Sequence, residues 1–328
     1  MPLSATDLKK FYTPFLNAHN RNIVLHCSYK KKIYGKNRWY RRNYPVFVSI
    51  LAALGWFFSK YALVGFPPVG FIGLRFFSAA LLFLPFAYPQ FKRLTRTEVM
   101  RASATGLLFA AFMATWIIAI TYSNNLGEGA FLMSISMLIA PLISWLVFRN
   151  KPLRSFWIAL PIALSGVYLL AISKGELHFS ADSLFYLLAS LFSASYFVLH
   201  NQYSKSIPAL ALTTLQLSVV GVLCLSYSLI AEPWKSEVPT SAIMWLTISV
   251  LIGTNFRYML QTIGQRYCNI ANASIIMLLE PVWTMIMSVW WLDEQLTALK
   301  LAGSVLILAA LLIYRIKNLI AFIRRKNY

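Results

Sequence analysis

The residue that invites a chemical question first is Glu280. It stands with Pro281 inside "SIIMLLEPVWTMIMSVWW", Ser274 to Trp291, a run apolar enough to cross a bilayer. A carboxylate in hydrocarbon is expensive, and a proline there removes a backbone hydrogen bond. A second polar pattern precedes it. Thr254, Arg257, Tyr258, Gln261 and Gln265 recur at the spacing of one helical face, polar over about three turns. Such a stripe faces a partner helix or water rather than lipid, either as a cavity wall or as an interhelical hydrogen-bond seam. At about 1.5 Å per residue, Glu280 and Arg257 lie within roughly one turn of the same depth, so they can pair. Pairing lowers the cost of burying either charge. Glu280 then serves as a solute contact or a proton-coupling acid, or merely neutralises Arg257.

Other polar and aromatic groups belong to the same inventory. Trp56 and Lys60 are one turn apart, and Trp283 lies one turn after Glu280. Trp56, Lys60, Trp116, Tyr122, Tyr196, His200 and Trp283 are candidates for an aromatic cavity, against the plainer reading of packing and interface belt. Arg75 reads as a structural cation that snorkels to the interface, with Glu128 able to satisfy Arg75 or Lys60. His200 has no second histidine at ligand spacing, and no metal site or cofactor is expected. Cys27, Cys224 and Cys268 form no CxxC pair, so neither a disulfide framework nor a zinc site is implied. There is no HExxH, Gly-rich phosphate loop or nucleophile elbow, so an enzyme is not expected.

The elements that position these residues follow from composition. Of 328 residues 59% are hydrophobic and only 12% charged, roughly half the charged share of a soluble domain. Ten apolar stretches read as transmembrane helices over 44–63, 68–88, 101–122, 127–148, 155–173, 183–202, 208–231, 241–264, 270–292 and 297–316. Turn signals separate several: Pro67-Pro68, Asn124-Asn125 with Gly127, and Pro208. The net charge of +20 would suggest nucleic acid on a soluble chain, but here the cations obey the positive-inside rule. They crowd the N-terminal tail, the loop with Lys92, Arg93, Arg96 and Arg101, the loop with Arg149, Lys151 and Arg154, positions Lys205 and Arg266, and the C-terminal tail. The other side has only Lys174, Lys235 and Lys300. Both termini are therefore expected in the cytoplasm, with the loop holding Lys174 and Glu176 outside, and lipid rather than nucleic acid as the surrounding partner. The segment "CSYKKKIYGKNRWYRRN" is basic and aromatic and lacks the apolar core of a signal peptide. It either lies on anionic headgroups or is a disordered tail.

The chain also repeats itself. "SISMLIAPLISWLVFRNKPL" in the fourth span aligns with "SIIMLLEPVWTMIMSVWWLDEQL" in the ninth, pairing Pro141 with Pro281, Met137 with Met277 and Leu138 with Leu278. "AITYSNNLGEGA" matches "IGQRYCNIANAS" loosely. A five-helix unit has an odd number of crossings, so its second copy is inverted in the membrane. The expected fold is all-α integral membrane, with ten transmembrane helices as two inverted five-helix repeats. The divisions are a basic tail over 1–43, repeats over 44–173 and 183–316, and a basic tail over 317–328. Ala159 with Ala163, and Ala298 with Ala302, permit close approach of spans five and ten within one chain, or a homodimer face.

"LGWFFSKYAL" (54–63), "GLRFFSAALLFLP" (73–85) and "MLLEPVWTMIMSVWWLDEQLTALKLAGSVLILAALLI" (277–313) resemble the ten-helix EamA-type members of the drug/metabolite transporter superfamily. The resemblance extends over 44–316. It implies an inner-membrane carrier, usually an exporter of amino acids, other metabolites or toxic compounds. Two features depart from it: the long basic N-terminus, and Ala140 where the second repeat has Glu280. Because Arg257 and Lys60 outnumber the deep acid, the expected cargo is a small organic solute with a carboxylate, such as an amino acid. Its contacts are expected among Arg257, Tyr258, Gln261, Glu280, Trp283, Trp56 and Lys60. Efflux of a cationic drug held by Glu280, and a solute channel, are the alternatives.

Overall fold

The structure, a computed structural model, describes residues 38–173, 176–177, 180–204, 206–260 and 270–324. Among the described residues ten helices follow one another: α1 (Arg38–Ala62), α2 (Pro68–Phe91), α3 (Arg96–Tyr122), α4 (Leu126–Phe148), α5 (Arg154–Ala171), α6 (Ala181–Tyr203), α7 (Ala209–Ala231), α8 (Thr240–Leu260), α9 (Ile270–Leu292) and α10 (Ala298–Arg324). Of these α2, α3, α4, α6, α7 and α8 are long and apolar enough to cross a membrane. Shorter apolar segments, Phe47–Ala62, Arg154–Leu170 and Ala298–Tyr314, lie in α1, α5 and α10.

The helix starts have local causes. Pro68 opens α2, where a missing N–H is harmless. Thr95 and Glu98 form a reciprocal capping box at α3. Asn125 and Pro208 precede α4 and α7. At the other ends, α4 and α9 each stop at a left-handed residue, Arg149 and Asp293, which turns the chain out of the helix.

Several boundaries differ from expectation: α1 begins at Arg38, inside the stretch expected as a tail over 1–43, and α3 begins at Arg96 where 101 was expected. The fifth helix stops at Ala171, and Ile172–Ser173 pairs with Glu176–Leu177 as a two-stranded antiparallel ribbon, β1 and β2. The last helix runs on to Arg324 through part of the stretch expected as a tail. Residues 1–37, Lys174, Lys205, Gln261, Gln265 and Arg266 lie outside the described residues.

The halves meet through helices that correspond in the repeat. In α2 and α7, Gly73 packs on Leu225 and Gly221 on Phe77, and the Ala211 N–H donates to Gln90 Oε1. Early residues of one helix meet late residues of the other, so the two run antiparallel. A Cβ on Gly73 would sit 2.5 Å from the Leu225 backbone nitrogen, so only glycine allows this approach. The α5 and α10 pair is built the same way. Gly166 and Gly303 back onto each other, and Ser155 donates to the Tyr314 carbonyl. Counterparts that run antiparallel are what an inverted repeat requires. The small-residue stripe of α5, with Ala159 and Ala163 buried, is thus used within one chain, while Ala298 and Ala302 point outward. Leu146, Ile230 and Trp290 each expose 85% or more of their surface, as lipid-facing side chains do.

Candidate functional site

Three helices depart from regular geometry or hydrogen bonding at the centre. In α8 the stretch Ser249–Phe256 is a π-helix. Its widened turn lets the Thr254 hydroxyl donate to the Ser249 carbonyl, five residues back, at 2.9 Å. π-Segments inside α-helices are frequent at functional sites. In α4 the regular helix is interrupted at Ile135, and the flanking Ser134 and Ser136 are both buried. In α9, Pro281 has no N–H to give the preceding turn.

These elements, with α1, α2, α3 and α6, enclose a cavity of about 100 Å³. Its wall includes Trp56, Arg75, Trp116, Ser134, Ser136, Ser193, Tyr196, Arg257, Tyr258, Glu280 and Pro281, so both repeats contribute. Glu280 is held from two sides. The Trp56 indole N–H donates to Oε1 at 3.1 Å, and Arg257 Nη2 lies 3.4 Å from Oε2. The ion pair is a single long contact, not a bidentate fork, and both side chains keep about a fifth of their surface open. The Arg257 Nε is buried without a hydrogen-bond partner among the described residues. Its guanidinium also sits 5.4 Å from the Tyr258 ring centroid. Trp116 meets Trp56 edge to face at 5.2 Å.

Of the expected contacts, Trp56, Arg257, Tyr258 and Glu280 come together, and Trp116 and Tyr196 join them. Gln261 lies outside the described residues. Lys60 is placed elsewhere: its Nζ donates to the Ile120 and Ser123 carbonyls at 2.9 and 2.7 Å, closing the end of α3. Trp283 is not part of the cavity wall, Tyr122 is exposed, and His200 is buried against Gln216 at 3.1 Å.

Arg75 departs from the expected snorkelling. It is 2% exposed and lines the cavity. It donates to Thr254 Oγ1 at 2.6 Å, Ser59 Oγ at 3.0 Å and the Gly253 carbonyl at 3.0 Å. A Cβ on Gly253 would lie 2.9 Å from its Nη2, so that glycine admits the guanidinium to the α8 backbone. Arg75 is the eighth residue of α2, roughly 10 Å from the helix start. That depth is the signal in the sequence that argues against snorkelling. Glu128 pairs with neither Arg75 nor Lys60. It takes Lys300 at 2.6 Å, because the start of α4 lies against the start of α10.

Glutamates close the ends of two helices in the same manner. Glu232, just after α7, accepts the N–H groups of Val69 and Gly70 at the start of α2. Glu294, just after α9, accepts those of Leu126 and Gly127 at the start of α4. Each carboxylate meets a helix N-terminus, whose free N–H groups and positive dipole end favour it.

Known proteins are similar along most of this length. The family model for the EamA-like transporter family matches residues 45–172 and again 182–316. Two proteins of Archaeoglobus fulgidus, each described as an uncharacterized transporter, are similar. One is 29% identical over 259 residues, covering 79% of this chain and 80% of its own. The other is 26% identical over 240 residues, covering 73% and 84%. One solved crystal structure superposes with a TM-score of 0.60 at 14% identity, covering 83% of this chain and 96% of that one.

Proposed function

The chain belongs to the EamA-like transporter family, and on that premise we propose that it is a secondary carrier exporting a small carboxylate-bearing solute, an amino acid for example. It works as a multi-pass membrane protein, which we place in the inner membrane with both termini cytoplasmic. The observation that carries the reading is the Arg257–Glu280 pair, bordering a cavity whose walls come from both repeats. A site at the repeat interface, flanked by interrupted helices, can be opened to one side or the other by rocking one half against the other. Arg257 offers a guanidinium already facing a carboxylate, the geometry a solute carboxylate would take over. Pocket volumes for drug-sized ligands run to about 300–1,000 Å³, well above this cavity, so a small solute suits it better.

Efflux of a cationic compound would rely on Glu280, the one acid in the described wall, and both its oxygens are already engaged. The test is tracer transport in proteoliposomes. Saturable uptake with counterflow identifies a carrier, and Arg257→Ala should reduce it while the protein still reconstitutes. Uptake that does not saturate and shows no counterflow identifies a channel instead.

A further inference from the structure

Arg75 is more than a strut. Its three partners are two hydroxyls and a carbonyl, all neutral, and among the described residues no acid lies within ion-pair distance of it. Hydrogen bonds of this kind orient a guanidinium without cancelling its charge, and arginine does not shed its proton in proteins. Arg257 is near. A Cβ built on Gly55 would lie 3.9 Å from Nη2 of Arg75 and 3.9 Å from Nη1 of Arg257. The two nitrogens are therefore within about twice that distance of each other. With Glu280 ionised, the described cavity wall holds two cations and one anion.

The repeat supplies an internal control. Gln216 is the eighth residue of α7, as Arg75 is of α2, and α7 is the counterpart of α2. Gln216 donates through Nε2 to Thr105 Oγ1 on α3 at 2.8 Å, as Arg75 donates to Thr254 Oγ1 on α8, the counterpart of α3. Each threonine hydroxyl in turn bonds a carbonyl of its own helix. The scaffolding task at this helix crossing is thus performed in one half by a neutral amide. The positive charge at position 75 is additional to it, and it occurs in the half of the crossing that faces Arg257.

We propose that Arg75 is a second anion contact of the solute site, and that with Arg257 it selects solutes of net negative charge over neutral zwitterions. The suited class is organic acids, including amino acids with a second carboxylate. This rests on the carrier reading above and narrows its substrate. A single net negative charge neutralises the wall, whereas a zwitterion leaves a buried positive charge uncompensated.

The test uses the full chain in proteoliposomes, with counterflow of four labelled probes: lactate, succinate, alanine and tetraphenylphosphonium. The wild type should exchange at least one of the two acids with a lower KM than alanine. Arg75→Gln copies the residue found at the equivalent position, so it should fold. It should raise the KM for the acid about tenfold or more, the scale of losing one hydrogen bond to a charged group. Its kcat should change little. Arg75→Lys, which keeps the charge, should recover part of the affinity. An unchanged KM in a monodisperse Arg75→Gln protein overturns the inference and leaves the carrier reading intact. So does a wild-type preference for alanine, whereas a preference for tetraphenylphosphonium overturns the inference together with the carboxylate cargo of the carrier reading. Exchange of none of the four overturns the carrier reading and this inference with it.

Discussion

Arg257 Nη2 and Glu280 Oε2 are 3.4 Å apart, while the second oxygen of the same carboxylate accepts from the Trp56 indole at 3.1 Å. One acid thereby ties α1, α8 and α9 together across the boundary between the repeats. Any solute that takes Arg257 away from Glu280 loosens that tie, so binding and helix movement share one contact.

Glu280→Gln separates the charge from the shape. The amide oxygen can still accept from Trp56, but the ion pair is gone. If the acid moves protons, accumulation driven by an imposed pH gradient should be lost while solute exchange persists in proteoliposomes. Unchanged accumulation with an unchanged response to the gradient would remove Glu280 from the coupling mechanism.

Arg257→Ala should lower transport by about tenfold or more, because it removes a charge-assisted contact. The amount of protein in the membrane should stay near wild type. The double variant Arg257→Ala with Glu280→Ala serves as the control. If the single variant expresses poorly and the double variant recovers, the pair is structural. Immunoblots of membrane fractions beside uptake rates distinguish the outcomes.

Glu294→Ala should destabilise the protein by about 1–2 kcal/mol, since both carboxylate oxygens cap the start of α4. Glu294→Gln should lose less, because one acceptor remains. Thermal unfolding in detergent, followed by size-exclusion chromatography, reads the difference.

Gly73→Leu should be more damaging than most single changes in the bundle. A first side-chain carbon there already meets the Leu225 backbone, so α2 and α7 must part. Overpacking of this kind costs roughly 1–3 kcal/mol even where neighbours can shift. The expected readout is a fall in the monodisperse fraction, with Val222→Leu, on the exposed side of α7, as the tolerated control.

Orientation is testable on a background with Cys27, Cys224 and Cys268 replaced. A cysteine at Ser236 should react with an impermeant maleimide in intact cells. One at Lys151 should react only after permeabilisation. The reverse pattern would invert the topology.

Sequence alone determined the parts of this protein that depend on composition along the chain. Ten apolar runs, the proline and asparagine signals before α2, α4 and α7, and an odd-numbered repeat unit are one-dimensional features. Bilayer thickness and backbone satisfaction convert them directly into helices and an inverted pair of halves. Trp56, Arg257, Tyr258 and Glu280 were legible for the same reason: a polar group in a hydrophobic run stands out locally. Only the tertiary structure decided which partners those groups take. Lys60 and Arg75 look alike in sequence, as single cations in apolar spans. Yet Lys60 closes the end of α3 and Arg75 is sunk in the cavity wall, because the π-turn of α8 and the bare backbone at Gly253 let Thr254 and the Gly253 carbonyl meet the Arg75 guanidinium. Likewise Glu128 goes to Lys300 and the N-terminus of α4 to Glu294, contacts between residues far apart in the chain. Hydropathy carries no information about such pairings. They are set by how the helices cross, and at α2–α7 and α5–α10 the approach is fixed by glycines whose effect is felt only against the helix on the other side.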